Sequence, residues 1–223
     1  MIRKKINMET VVIGLVNGRE TYEICRTWNE EGGKALVIEL YPTISWENPM
    51  ILDVSTMHLL NHAEEIGWGM VRIINLYPTV FDVKPLVGDL AESVANMEYI
   101  RDVLSEKDIA DYDIVIAYGN GLSSHACTQH LKEKIMKMIV EKGLSLQVKH
   151  IVTDFLDTKK QLGTHPLFLG LRHNHEKWQL EKYPIKIEAA WSLKESSEKA
   201  ANSNKKGKKE RSVQNVPETK ESD

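Results

Sequence analysis

Apolar and polar positions alternate at the start of this chain and then gather into short runs. Thr10-Val-Val-Ile-Gly-Leu and Glu20-Thr-Tyr-Glu-Ile-Cys-Arg-Thr-Trp28 read as strands on either side of Asn17-Gly18. A type I′ turn prefers Asn-Gly because both of its central residues need positive φ, so a β-hairpin is expected over residues 10–28. Four apolar runs follow: Ala35-Leu-Val-Ile-Glu-Leu40, Met70-Val-Arg-Ile-Ile-Asn-Leu-Tyr77, Asp113-Ile-Val-Ile-Ala-Tyr-Gly119 and Gln147-Val-Lys-His-Ile-Val-Thr153. Between them, Ser55 to Ile66, Ser93 to Ser105 and Ser124 to Glu141 are long enough for crossover helices, and each begins near a Ser or Asp suited to capping. On the last of these, Leu131, Ile135, Met138 and Ile139 recur at helical spacing and mark a core face. Strand-like runs separated by helices predict an α/β fold: a three-layer domain with a four-stranded, mostly parallel sheet and an N-terminal hairpin.

Composition divides the chain near residue 191. From Ser192 to Asp223 there is no Ile, Phe, Tyr or Trp, and Lys, Glu, Ser and Asn dominate. Such a segment buries too little apolar surface to order itself, so residues 192–223 are expected to form a disordered charged tail. Residues 1–191 are expected to form a single domain, with its hairpin at 10–28, its core at 35–170 and a C-terminal extension at 171–191. The formal charge is −3 overall; eight basic and six acidic residues give the tail +2, which leaves −5 on residues 1–191. That balance lacks the basic surplus of a protein that grips duplex DNA through many phosphates. The cluster Lys205-Lys-Gly-Lys-Lys-Glu-Arg211 reads as a solubilising tail, or as a contact for a polyanion or a protein partner. With 2 Cys in no metal-binding spacing, no apolar leader and no run of membrane-spanning length, the expectation is a cytoplasmic protein outside the membrane, without disulfide scaffold, metal or cofactor. Oligomeric state is not legible.

The candidate chemistry lies at the strand ends, where loops of open α/β sheets diverge and ligands bind. Tyr41-Pro42-Thr43 follows the first run, Asn75 and Tyr77 close the second, Gly119-Asn120-Gly121 follows the third, and His165-Pro166 lies beyond the fourth. Amide, hydroxyl and imidazole groups would converge there on backbone fixed by Pro and Gly. Each has a plainer reading. Asn75 pins a loop, Gly119 to Gly121 make a turn into a helix, His165 sits in a turn restrained by Pro166, and His125 caps its own helix. His58 and His62 share a helix face without the Glu of a His-Glu-x-x-His site, and with His173 and His175 they look like a metal cluster only on paper.

In order along the chain stand Arg26-Thr-Trp28, Leu40-Tyr-Pro-Thr43, Asp53-Val-Ser55, Gly67-Trp-Gly69, Ile74-Asn-Leu76, Tyr118-Gly-Asn120 and His165-Pro-Leu-Phe168. This ordered set, over roughly residues 20 to 170, resembles the domain of unknown function 1643 family. The resemblance implies that Tyr41, Pro42, Thr43 and Asp53 belong to the site, and that Tyr41, which replaces the family's loop Asn, and Met57 and His58, where basic residues are usual, alter it. A more remote likeness is to the uracil-DNA glycosylase fold, with a Pro loop after the first strand, an Asn near the end of the second and a closing His-Pro segment. The glycosylase's water-activating Asp would fall on Tyr41, an unsuitable general base.

Three functions follow from these residues. The first is recognition of a nucleotide, nucleobase or single-stranded nucleic acid, with His165 and Asn75 in catalytic positions and Tyr41, Pro42, Thr43, Asp53, Tyr77, Gly119, Asn120, Gly121 and Pro166 forming the pocket. The second is a non-catalytic interaction protein, such as a mobile-element accessory factor, that recruits its partner through the tail or the hairpin. The third, a hydrolase using Ser123 or Ser124 with His125 or His165, lacks a Gly-x-Ser-x-Gly elbow.

Overall fold

The computed structural model of the chain describes residues 1–15, 19–158 and 160–185. The Asn17-Gly18 turn and the charged tail lie outside the described residues. In chain order the elements are β1 (Glu9–Leu15), β2 (Glu20–Thr27), β3 (Gly33–Glu39), α1 (Val54–Ile66), β4 (Trp68–Asn75), α2 (Val94–Val103), β5 (Tyr112–Ile116), α3 (Ala126–Glu141), β6 (Val148–Val152), α4 (Pro166–His173) and β7 (Gln179–Lys182). They belong to one compact unit, Met1–Tyr183. Among the described residues no helix is long and apolar enough to cross a membrane.

The sheet corrects the expectation of four mostly parallel strands: among the described residues it has seven and is mixed, in the order β1-β2-β4-β3-β5-β6-β7. The four expected runs are its parallel centre. The hairpin is part of the same sheet, because β2 pairs antiparallel with β4 from Glu23↔Ile74 to Thr27↔Met70. At the other edge β7 pairs antiparallel with β6. Its sequence, Gln-Leu-Glu-Lys, has one apolar residue, so it sends no strand signal and is held by its backbone ladder.

Helices cover both faces of the sheet. Leu59 and Ala63 of α1 and Leu169 of α4 pack on Ala35, Val37, Val71, Ile73 and Val115. Leu36, Ile38, Ile74 and Ile114 point the other way by strand alternation and are also buried. There α2 lies over the sheet, with the Tyr99 hydroxyl donating to Glu23 at 2.8 Å. Glu23 in turn receives two 2.8 Å bonds from Arg72, whose guanidinium also donates to Glu106 at 2.5 and 2.9 Å, so the buried charges are paired. Two of the three expected helix starts are capped by side chains: Asp53 accepts from the Thr56 amide at 2.6 Å and Ser93 from Asn96 at 3.3 Å, whereas α3 begins after His125 with no side-chain cap, contrary to the expectation there.

The segment read as a Thr-His-Pro turn opens a further helix, α4, with His165 as its cap and Pro166 in the first turn, where a missing N–H costs nothing. It presses closely on α1: a Cβ built on Gly170 would lie 1.9 Å from the His58 ring. His62 stacks on Trp178 with ring centroids 4.0 Å apart and pairs with Glu65 at 2.6 Å, while His173 pairs with Glu176 at 2.8 Å. These histidines serve packing and local pairing. Among the described residues no group of three or more His, Cys, Asp or Glu is placed to hold a metal ion.

Candidate functional site

The path of the chain creates a crevice. From β3 it crosses by α1 to β4 on one side, and from β4 by α2 to β5 on the other side of β3. Connections leaving β3, towards β4, and leaving β5, towards β6, therefore diverge, and ligands of open α/β sheets lodge at such a reversal, beyond the strand C-termini. A cavity of about 460 Å³ lies there, bounded by Leu40, Tyr41 and Thr43 after β3 and by Tyr118, Gly119 and Gly121 after β5. Asp53 and Ser55 at the start of α1 and His165, Leu167 and Phe168 at the start of α4 complete its rim. This is a volume suited to a small organic ligand.

At its wall is a residue that the sequence reading missed. Glu39, the last residue of β3, is 5 % exposed and lines the cavity. Its Oε1 has no protein partner, and its Oε2 lies 3.9 Å from His165 Nε2. Burial, reinforced by the negative charge of Asp53, pushes its carboxyl up to about 8. Glu39 is therefore protonated at neutral pH and presents an O–H donor. Asp53 is its complement, accepting from the Thr56 amide at 2.6 Å and from the Thr43 hydroxyl.

His165 Nδ1 accepts the Leu167 N–H at 3.2 Å. A neutral ring so engaged carries its proton on Nε2, the nitrogen facing Glu39. Burial lowers the His165 pKa, which favours that neutral form. Gly119 makes room for the ring. It has φ +63°, and a Cβ there would meet His165 Cβ at 3.3 Å. Its N–H donates to Gly163 O at 2.7 Å and its carbonyl accepts from Lys132 Nζ at 3.3 Å, so this amide is committed within the protein. Asn120 Nδ2 likewise donates to Lys160 O at 3.0 Å.

Of the residues singled out from sequence, Tyr41, Thr43, Asp53, Gly119, Asn120, Gly121 and His165 line the cavity; Pro42, Asn75, Tyr77 and Pro166 are buried outside its lining. Asn75 stands opposite Glu39 in the parallel register, and its carbonyl accepts from Asn96 Nδ2 at 3.0 Å. The Tyr77 hydroxyl shares a 2.8 Å hydrogen bond with Thr128, and Pro166 begins α4. Ser123 and Ser124 are exposed outside the lining, and His125 Nδ1 bonds to Thr128 Oγ1 at 2.9 Å. The missed signal was legible in principle: Glu39 interrupts an otherwise apolar run at the end of a strand buried on both faces, where a carboxyl needs a reason.

Comparison with protein families finds a match over residues 21–167 to the family described as Protein of unknown function (DUF1643). The matched span includes the cavity residues from Glu39 to His165. No curated protein and no solved structure matches the chain.

Proposed function

The chain belongs to the DUF1643 family, and we propose that its strand-end cleft recognises a nucleobase, presented free, in a nucleotide or in a single strand of nucleic acid. The observation that carries the reading is the buried Glu39 carboxyl with Oε1 unpartnered at the cavity wall. A protonated donor beside an acceptor carboxylate, Asp53, matches the mixed donor and acceptor edge of a heterocyclic base. Tyr41, Tyr118 and Phe168 supply aromatic surface for its faces. Cleavage of an N-glycosidic bond in this cleft would take its proton transfers from Glu39, Asp53 and His165, and not from Tyr41.

A thermal-shift screen with bases, nucleosides, nucleotides and short single-stranded oligonucleotides tests the reading. A ligand at a hundred times its Kd adds ~2.7 kcal/mol, and each kcal/mol moves the midpoint by roughly 2–4 °C at this size, so a shift of about 5–10 °C is expected. Glu39→Leu, which deletes the donor, and His165→Ala should both lose the shift. Absence of a shift with every ligand would overturn the reading in favour of a non-catalytic interaction protein.

A further inference from the structure

The charge of the cleft wall separates ligands within the nucleobase class. Glu39 and Asp53 both line the cavity, and the described lining residues include no Lys or Arg. His165 adds no positive charge at neutral pH, since burial lowers its pKa. Lys132, and Arg26 whose charge acts on Asp53, are outside the lining and are engaged by oxygen atoms of the protein. Lys132 Nζ donates to Gly119 O at 3.3 Å and stands 4.5 Å above the Tyr118 ring. Arg26 donates to Pro49 O at 3.1 Å, Ile51 O at 2.8 Å and Thr10 Oγ1 at 2.8 Å.

Glu39 contributes an observation independent of this charge count: a carboxyl oxygen buried at the cavity wall without a partner. A phosphate here would face the Asp53 carboxylate, and Glu39 once it ionises, with no cation among the described lining residues to offset them. A cation would meet the Asp53 carboxylate and favour ionisation of Glu39, and aromatic rings attract positive charge over their faces. Resting on the nucleobase reading, we propose that the occupant is a positively charged heterocycle, such as an N-alkylated purine or pyrimidine. Its charge is taken up by Asp53 and by Glu39, which releases its proton to solvent as the cation enters, its plane lies against Tyr41, Tyr118 or Phe168, and phosphorylated forms are disfavoured.

Titration calorimetry on the full chain tests this with three pairs: adenosine and N1-methyladenosine, guanosine and N7-methylguanosine, cytidine and N3-methylcytidine. The 5′-monophosphates of the neutral nucleosides complete the set. At least one methylated cation should bind roughly tenfold or more tighter than its neutral parent, and the monophosphate more weakly than the nucleoside. Glu39→Gln keeps a donor but cannot ionise, so it should lose most of the preference for the cation.

A pH series on the parent protein serves where the variant fails to fold. The titratable groups around Glu39 are Asp53 from α1, His165 from α4 and the Tyr41 and Tyr118 phenols from the loops. Between pH 6 and 8 the affinity for N1-methyladenosine should rise several-fold as the Glu39 proton is released, while that for adenosine should not. Neutral and methylated forms binding alike, or the monophosphate binding best, would overturn charge selection and leave the nucleobase reading standing. Failure of every compound to bind would overturn both.

Discussion

Replacing Glu39 by glutamine isolates the electrostatic consequence of burying this carboxyl. The ordinary value of 4.5 becomes about 8 in the folded chain. At about 1.36 kcal/mol per pH unit, the ionised form is disfavoured by about 5 kcal/mol in total. Because the folded value is the higher one, the native chain holds a proton that the unfolded chain has released between pH 4.5 and about 8. Stability from this group is therefore complete below pH 4.5, falls as pH rises through that window, and levels off above it. His165 and His150, both lowered by burial from 6.5, act in the opposite sense and remove stability as pH falls below that value. The span from pH 6.5 to 8 separates the two effects. Across it, urea unfolding should show the parent losing about 2 kcal/mol more than Glu39→Gln, which has no proton to release. Parallel curves for parent and variant would refute both the assignment of a protonated Glu39 and the hydrogen-bond donor on which the proposed site depends.

Other perturbations probe the supports of the cleft. Gly170→Ala drives a methyl into the His58 ring and should destabilise by about 1–3 kcal/mol despite the better helix propensity of Ala; adding His58→Ala should recover most of the loss in chemical denaturation. Arg72→Ala strands the Glu23 carboxylate and should cost roughly 3–5 kcal/mol, whereas Arg72→Met with Glu23→Leu should lose far less, a contrast readable from paired urea curves. Asp53→Ala removes the α1 cap at about 1 kcal/mol, while Asp53→Asn keeps an acceptor for Thr56. Either change also withdraws a negative charge from Glu39, so its titration, followed by carboxyl NMR, should move to lower pH.

The parts legible in the sequence were those where one physical signal acts alone. Val37, Ile73, Val115 and Ile151 sit in apolar runs that form the parallel centre of the sheet, and such runs identify themselves because both faces are buried. Asp53 and Ser93 announced helix starts through capping chemistry, and the glycine and proline punctuation located the loops around the cleft. Elements held by tertiary context gave no such signal. β7 is a polar tetrapeptide recruited by the free edge of β6, and α4, eight residues long, is too short for its period to stand out after a His-Pro pair.

Within the site, strand-end position proved a good guide to the neighbourhood and a poor guide to which side chain faces inward. Asn75 and Glu39 end adjacent parallel strands in register, yet only Glu39 lines the cavity. The difference comes from the reversal of chain direction, which opens the space between β3 and β5 while β4, on the far side of β3, is roofed by the loop that Asn96 anchors through the carbonyls of Asn75 and Leu76. The main-chain carbonyl at the end of β4 is thereby committed to the fold, and a carboxyl oxygen at the end of β3, Glu39 Oε1, which nothing in the protein satisfies, is left for whatever enters the cleft.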